Sequence, residues 1–121
     1  MTLSDDPTQA INLEAALAIC DGDRELFGEI AQVFLEDAAD RMEQMKKAVD
    51  AQDSQAIAAM GHALKGLTGN IGADPMKEAA LQMERSGKNN DLGLYQNQFE
   101  TLNNEYQRAR TEIQKIISSP T

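Results

Sequence analysis

A single histidine occurs in the 121 residues, His62, within the stretch Met60-Gly61-His62-Ala63-Leu64-Lys65-Gly66. Imidazole in its neutral form is a good nucleophile, and an unperturbed pKa of about 6.5 keeps much of it neutral near pH 7. An exposed histidine can attack an acyl phosphate on another protein's aspartate and hold the phosphoryl group as a phosphoramidate. Lys65, one helical turn on, can offset the phosphoryl charge. Exposure is a condition of this chemistry, because the partner must bring its aspartate into line with the ring.

Helical geometry, at about 100° per residue, places the neighbours around His62. Ile57, Met60, Ala63, Leu64, Leu67 and Ile71 gather in an arc of roughly 100° to 220°, which predicts the core face. Gln55, Ala58, Ala59, Lys65, Gly66, Gly69 and Ala73 lie within roughly 60° of His62, so the ring points outward among small residues and one lysine. Gly61, Gly66 and Gly69 each weaken a helix by about 1 kcal/mol relative to alanine, a cost that calls for a compensating role. Gly66 and Gly69 clear the helix one and two turns past the histidine. Together with Ala58 and Ala59 they form the expected docking surface for an approaching body. Gly61, near the border of the core arc, also fits close packing of two helices. Taken alone, a helical histidine or a lysine three residues away is an ordinary solvated residue. The combination of an outward ring, a lysine one turn on and bare helix beside both is what favours chemistry.

Five helical segments are predicted to position this stretch. Asn12 caps a short helix over 13–19, with Glu14 in its first turn, and Asp21-Gly22-Asp23 ends it. The second runs over 24–51, with Leu26, Phe27, Ile30, Phe34, Ala38, Met42, Met45 and Val49 as its apolar stripe. Val33 and Leu35 flank that stripe and suit either an apolar docking patch or ordinary packing. Asp53 or Ser54 caps the third helix, over 55–71, which closes at Gly72. The fourth spans 75–86 from Pro75, presenting Met76, Ala79, Ala80 and Met83, and Gly87-Lys88-Asn89-Asn90-Asp91 reads as a loop. The fifth spans 92–117, with Leu92, Tyr95, Phe99, Leu102, Tyr106, Ala109, Ile113 and Ile117 in line. Short links between long helices predict an all-α, antiparallel, up-down four-helix bundle over 11–117, with the short first helix closing one end. Residues 1–10 are expected to be a flexible lead-in and 118–121 a flexible tail.

Composition agrees with an all-α fold, with 41% hydrophobic residues but only 4% aromatics and no tryptophan. A net charge of −9 disfavours phosphate backbones and anionic lipid, so neither nucleic acid nor a membrane is an expected partner. The lone Cys20 cannot form an internal disulfide and fits a reducing, cytoplasmic setting as a small buried apolar residue.

His62-Ala63-Leu64-Lys65-Gly66 followed by Gly72-Ala73 resembles the H-x-L-K-G…G-A signature of histidine-containing phosphotransfer (HPt) domains, and Asn70 is usual in that context. The helix order is also similar, over about Ile11 to Ile117. The resemblance implies a phosphorelay carrier that acts as a monomer. His62 would accept a phosphoryl group at Nε2 from a receiver-domain aspartate and pass it to another, with Lys65 assisting. The partners implied are receiver domains of response regulators or of a hybrid sensor kinase. The carrier would have no cofactor of its own, and Mg²⁺ would be supplied by the receiver. Two departures stand out: Gly61 replaces the common alanine, and Leu67-Thr68 replaces two small residues. Leu67 points inward on the wheel, so that change bears on packing rather than transfer.

Three rival readings are weaker. A histidine-kinase dimerisation domain usually follows its histidine with an acidic residue and then a proline, whereas Ala63 follows here and no proline occurs until Pro75. A di-metal carboxylate bundle needs paired Glu-x-x-His motifs, which one histidine cannot supply. A helical adaptor without chemistry is told apart by replacing His62.

Overall fold

The computed structural model describes residues 10–118. The expected lead-in and tail otherwise lie outside the described residues. Five α-helices follow in order: α1 (Leu13–Ile19), α2 (Arg24–Asp50), α3 (Ser54–Ile71), α4 (Asp74–Asn89) and α5 (Tyr95–Ser118). A single 3₁₀ turn, Leu92–Leu94, precedes α5, and no strand occurs among the described residues. Helix α2 packs on α3 and α5, and α4 packs on the same two, so the four long helices close a ring around one core.

The sequence sets most helix starts. The side chains of Asn12, Asp23 and Asp53 accept hydrogen bonds from the Ala15, Leu26 and Ala56 amides, each satisfying one open donor of a first turn. Gly72 ends α3 in a left-handed conformation at φ +74°. Its carbonyl accepts a 2.7 Å hydrogen bond from the Asn12 amide, and a Cβ there would meet the Asn12 carbonyl oxygen at 2.6 Å. A residue other than glycine would therefore push α1 off the α3–α4 turn. Phe27, Phe34, Met45, Ile57, Leu64, Met83, Leu102 and Ile113 are among the buried core, and Cys20 is buried with them.

Several boundaries and faces differ from expectation. Helix α4 runs to Asn89, three residues beyond the predicted end, and stops where Asn90 turns left-handed. Gly87 and Lys88 are therefore helical, because Gly87 packs directly on α3. Leu92 and Leu94 are exposed in the 3₁₀ turn, so the buried stripe of α5 begins at Tyr95. Ile117, at the other end of that stripe, is also exposed, as is Leu26 near the start of α2. Ala73, which the wheel sets beside His62, is fully buried, since the left-handed Gly72 ends the helix before it.

Candidate functional site

The site is made where α3 and α4 come closest. Gly61 on α3 is buried, and a Cβ there would lie 2.7 Å from the Glu84 amide nitrogen and 2.9 Å from the Ala80 carbonyl oxygen. Gly87 on α4 reciprocates, with a Cβ position 2.7 Å from the Ala58 nitrogen and 2.8 Å from the Ser54 oxygen. Two glycines one turn or less from His62 and Glu84 thus bring the helices nearly backbone to backbone. The packing alternative for Gly61 is the one the structure supports, and it accounts for the missing alanine before His62.

That approach brings Glu84 beneath the histidine. The His62 side chain is 70% exposed, whereas Glu84 retains only 5% exposure. His62 Nδ1 lies 2.9 Å from Glu84 Oε2, Lys65 Nζ donates to Oε1 at 2.9 Å, and Lys88 Nζ stands 3.4 Å from Oε2. The hydrogen bond from Lys65 does most to hold the Glu84 carboxyl down, to about 2 from an ordinary 4.5. His62 and Lys88 act in the same direction, and burial opposes them. Glu84 is consequently ionised at neutral pH and can only accept hydrogen bonds. A neutral His62 must then carry its proton on Nδ1, which leaves the Nε2 lone pair as the free nucleophile.

Lys65 is placed one turn along α3, where it reaches the same carboxylate as the ring. Of the small residues, Ala59 and Gly66 are exposed, while Ala58 and Gly69 are half-buried. The Ala58 backbone lies where a Cβ on Gly87 would fall, so Ala58 is only half-exposed. Around Gly66 the space is open, with nothing within 4 Å of a Cβ position. On the other side of α3, Leu67 and Asn70 face Leu26, Glu29, Ile30 and Val33 of α2 across a shallow apolar groove. Val33 is 54% exposed there, whereas Leu35 packs partly against the core. Buried Thr68 is satisfied, its hydroxyl shared between the Leu64 and Lys65 carbonyls.

Glu84 and Lys88 were not among the residues singled out from sequence. The available signal for Glu84 is its register: it falls on the stripe of Met76, Ala80, Met83 and Gly87, where a lone carboxylate must have a partner. Lys88 follows at i+4, hidden by a loop-like composition.

The site thus joins one exposed imidazole to a buried carboxylate on an all-helical bundle, an arrangement that suits a nucleophile open to another protein. The profile of the Hpt domain family matches residues 29–112, and the chain belongs to that family. Its role is accordingly histidine phosphotransfer in a phosphorelay, as a carrier rather than a conventional enzyme, with receiver domains as partners. Among solved structures, histidine-containing phosphotransfer protein B (HptB) from Pseudomonas aeruginosa PAO1 is similar in fold, with a TM-score of 0.84 at 18% identity, covering 91% of this chain and 96% of that one. No curated protein matches the chain significantly. Among the described residues no helix is long and apolar enough to cross a membrane.

Proposed function

We propose that His62 is the phosphoryl-carrying residue, accepting the group at Nε2 from a receiver aspartate and returning it to another. The observation that carries this reading is the hydrogen bond from Nδ1 to an ionised, buried Glu84, which fixes the tautomer and leaves Nε2 in solvent. In the forward step a bond forms between Nε2 and phosphorus while the aspartyl oxygen–phosphorus bond breaks, and the carboxylate leaves with the electron pair. The ring gains positive charge as Nε2 attacks, and Glu84 lies 2.9 Å from Nδ1 to stabilise it, as carboxylates do for other catalytic imidazoles. Lys65 is close enough to both groups to turn from Glu84 toward the incoming phosphoryl oxygens. A Mg²⁺ ion held by the receiver's own carboxylates completes the charge balance during transfer.

The groove between α2 and α3 supports a globular partner. Leu67 and Asn70 lie about 8 and 12 Å along α3 from His62. A receiver-sized domain has a radius of gyration near 13 Å, so one seated on the ring covers the groove as well. Ala59, Gly66 and the outward parts of Ala58 and Gly69 keep the approach clear. The carrier acts as a monomer in the cytoplasm, a setting consistent with the free, buried Cys20.

Incubation with a panel of phosphorylated receiver domains tests the reading. Acid-labile, base-stable label is expected on the chain, and His62→Gln is expected to remove it while the protein stays folded. Labelled ATP alone should leave the chain unlabelled. Transfer that survives His62→Gln, or self-labelling from ATP, would overturn the assignment.

A further inference from the structure

We infer that Lys77 is a docking cation, which pairs with the acidic rim of the partner's phosphoaspartate site; the inference rests on the phosphocarrier reading above. Three lysines border the flank of α3 that faces α4. Lys65 and Lys88 are both engaged by Glu84. Lys77, exposed on α4, has no ion pair among the described residues. Its ammonium nevertheless lies back over α3, 4.0 Å from the position a Cβ would take on Gly69.

Gly69 is the second observation. Gly61 and Gly87 are explained by backbone contacts below 3 Å, but Gly69 has no such neighbour. Its one close group is the Lys77 ammonium, at ordinary contact distance. Gly69 sits on the His62 face, two turns on and about 10 Å along the axis. The ammonium over Gly69 therefore lies about two helical turns along α3 from the ring, within the footprint of a partner domain whose radius of gyration is about 13 Å.

Charge gives the contact its purpose. The chain carries a net −9, and a site that binds Mg²⁺ through carboxylates is itself anionic, so the two bodies repel at long range. An unpaired cation on the docking face reverses that repulsion locally and orients the encounter. Rim charges of this kind act mainly on association and on its salt dependence.

The test uses a receiver shown to load the wild-type chain, with transfer rates followed against receiver concentration at about 25 mM and about 500 mM salt. Lys77→Glu is expected to raise KM by about fivefold to tenfold at low salt with kcat unchanged, and by less than about twofold at high salt. Lys77→Gln should fall between. Lys115→Glu makes the same charge change near the C-terminal end of α5, a helix that packs chiefly on α2 and α4, and is expected to stay within about twofold of wild type. An unchanged KM for Lys77→Glu, an equal rise in Lys115→Glu, or a loss confined to kcat would overturn the role of Lys77 while leaving the carrier intact. Failure of every receiver to load the wild-type chain, or loading that persists in His62→Gln, would instead remove the phosphocarrier reading and this inference with it.

Discussion

The two flanks of α3 are built on opposite principles. Toward α4 the surface is closed: Gly61 and Gly87 let the backbones nearly touch, and the buried Glu84 carboxylate is engaged by three partners. Toward α2 the surface is left open, with Val33 exposed and Leu67 lining an apolar groove that no other described residue fills. Glycine serves both flanks in different ways, removing a Cβ that would collide on one and baring an open helix at Gly66 on the other. Rigidity sits where the imidazole is oriented, and open surface on the flank proposed for the partner.

The sharpest way to break this contrast is to add one methyl group to each flank. Gly61→Ala forces α4 away from α3 and is expected to cost about 2 kcal/mol net of the better helix propensity, lowering the melting temperature by about 8 °C. The same change should stretch the Glu84–His62 contact and slow transfer. If Gly61→Ala melts with the wild type, the close approach is not what holds the hairpin.

Glu84 sharpens the chemical half of the comparison. Because its folded pKa is depressed, its contribution to stability is complete above pH 4.5 and is lost as pH falls through about 2. Glu84→Gln should be less stable than wild type by about 1–3 kcal/mol at pH 7, with the gap narrowing below pH 4.5, as read by denaturant melts across that range. A gap that widens on acidification would contradict the sign. Nitrogen NMR of the ring should report the Nδ1–H form in wild type. Loss of the carboxylate in Glu84→Ala should erase that bias and slow phosphotransfer by about 10- to 100-fold, as for other imidazoles oriented by a carboxylate.

Changes on the open flank are expected to be smaller in stability and to show in recognition. Val33→Asp should alter stability by no more than about 0.5 kcal/mol, yet raise KM for the receiver. Gly66→Ala, with no neighbour to meet, should stabilise the fold by about 0.5–1 kcal/mol, the opposite sign to Gly61→Ala.

What the sequence made legible was the local part. Caps at Asn12, Asp23 and Asp53, the apolar periods of α2 and α3, and the outward face of His62 all depend on near neighbours in the chain. Glu84 was not legible, because its meaning depends on the rotation of α4 against α3, which two glycine contacts set across the hairpin. Gly87-Lys88-Asn89-Asn90-Asp91 has the composition of a turn, and the packing of Gly87 on Ala58 overrides that local preference. Leu92 was misplaced for the reverse reason: its apolar side chain continues the α5 period, but the chain there turns as a 3₁₀ segment and leaves it in solvent. Ala73 shows the limit of wheel geometry, which has no knowledge of where a left-handed residue will end the helix.

The ionised carboxylate, the imidazole and both engaged lysines all fall within residues 62–88, on two helices joined by a single tight turn at Gly72–Ala73. Assembling them needs one short chain closure, which carries a small entropic penalty and favours early formation during folding. The working centre thus resembles a cassette: α1 and α5 have only to grip it, whereas α2 both grips it and lines the groove beside it.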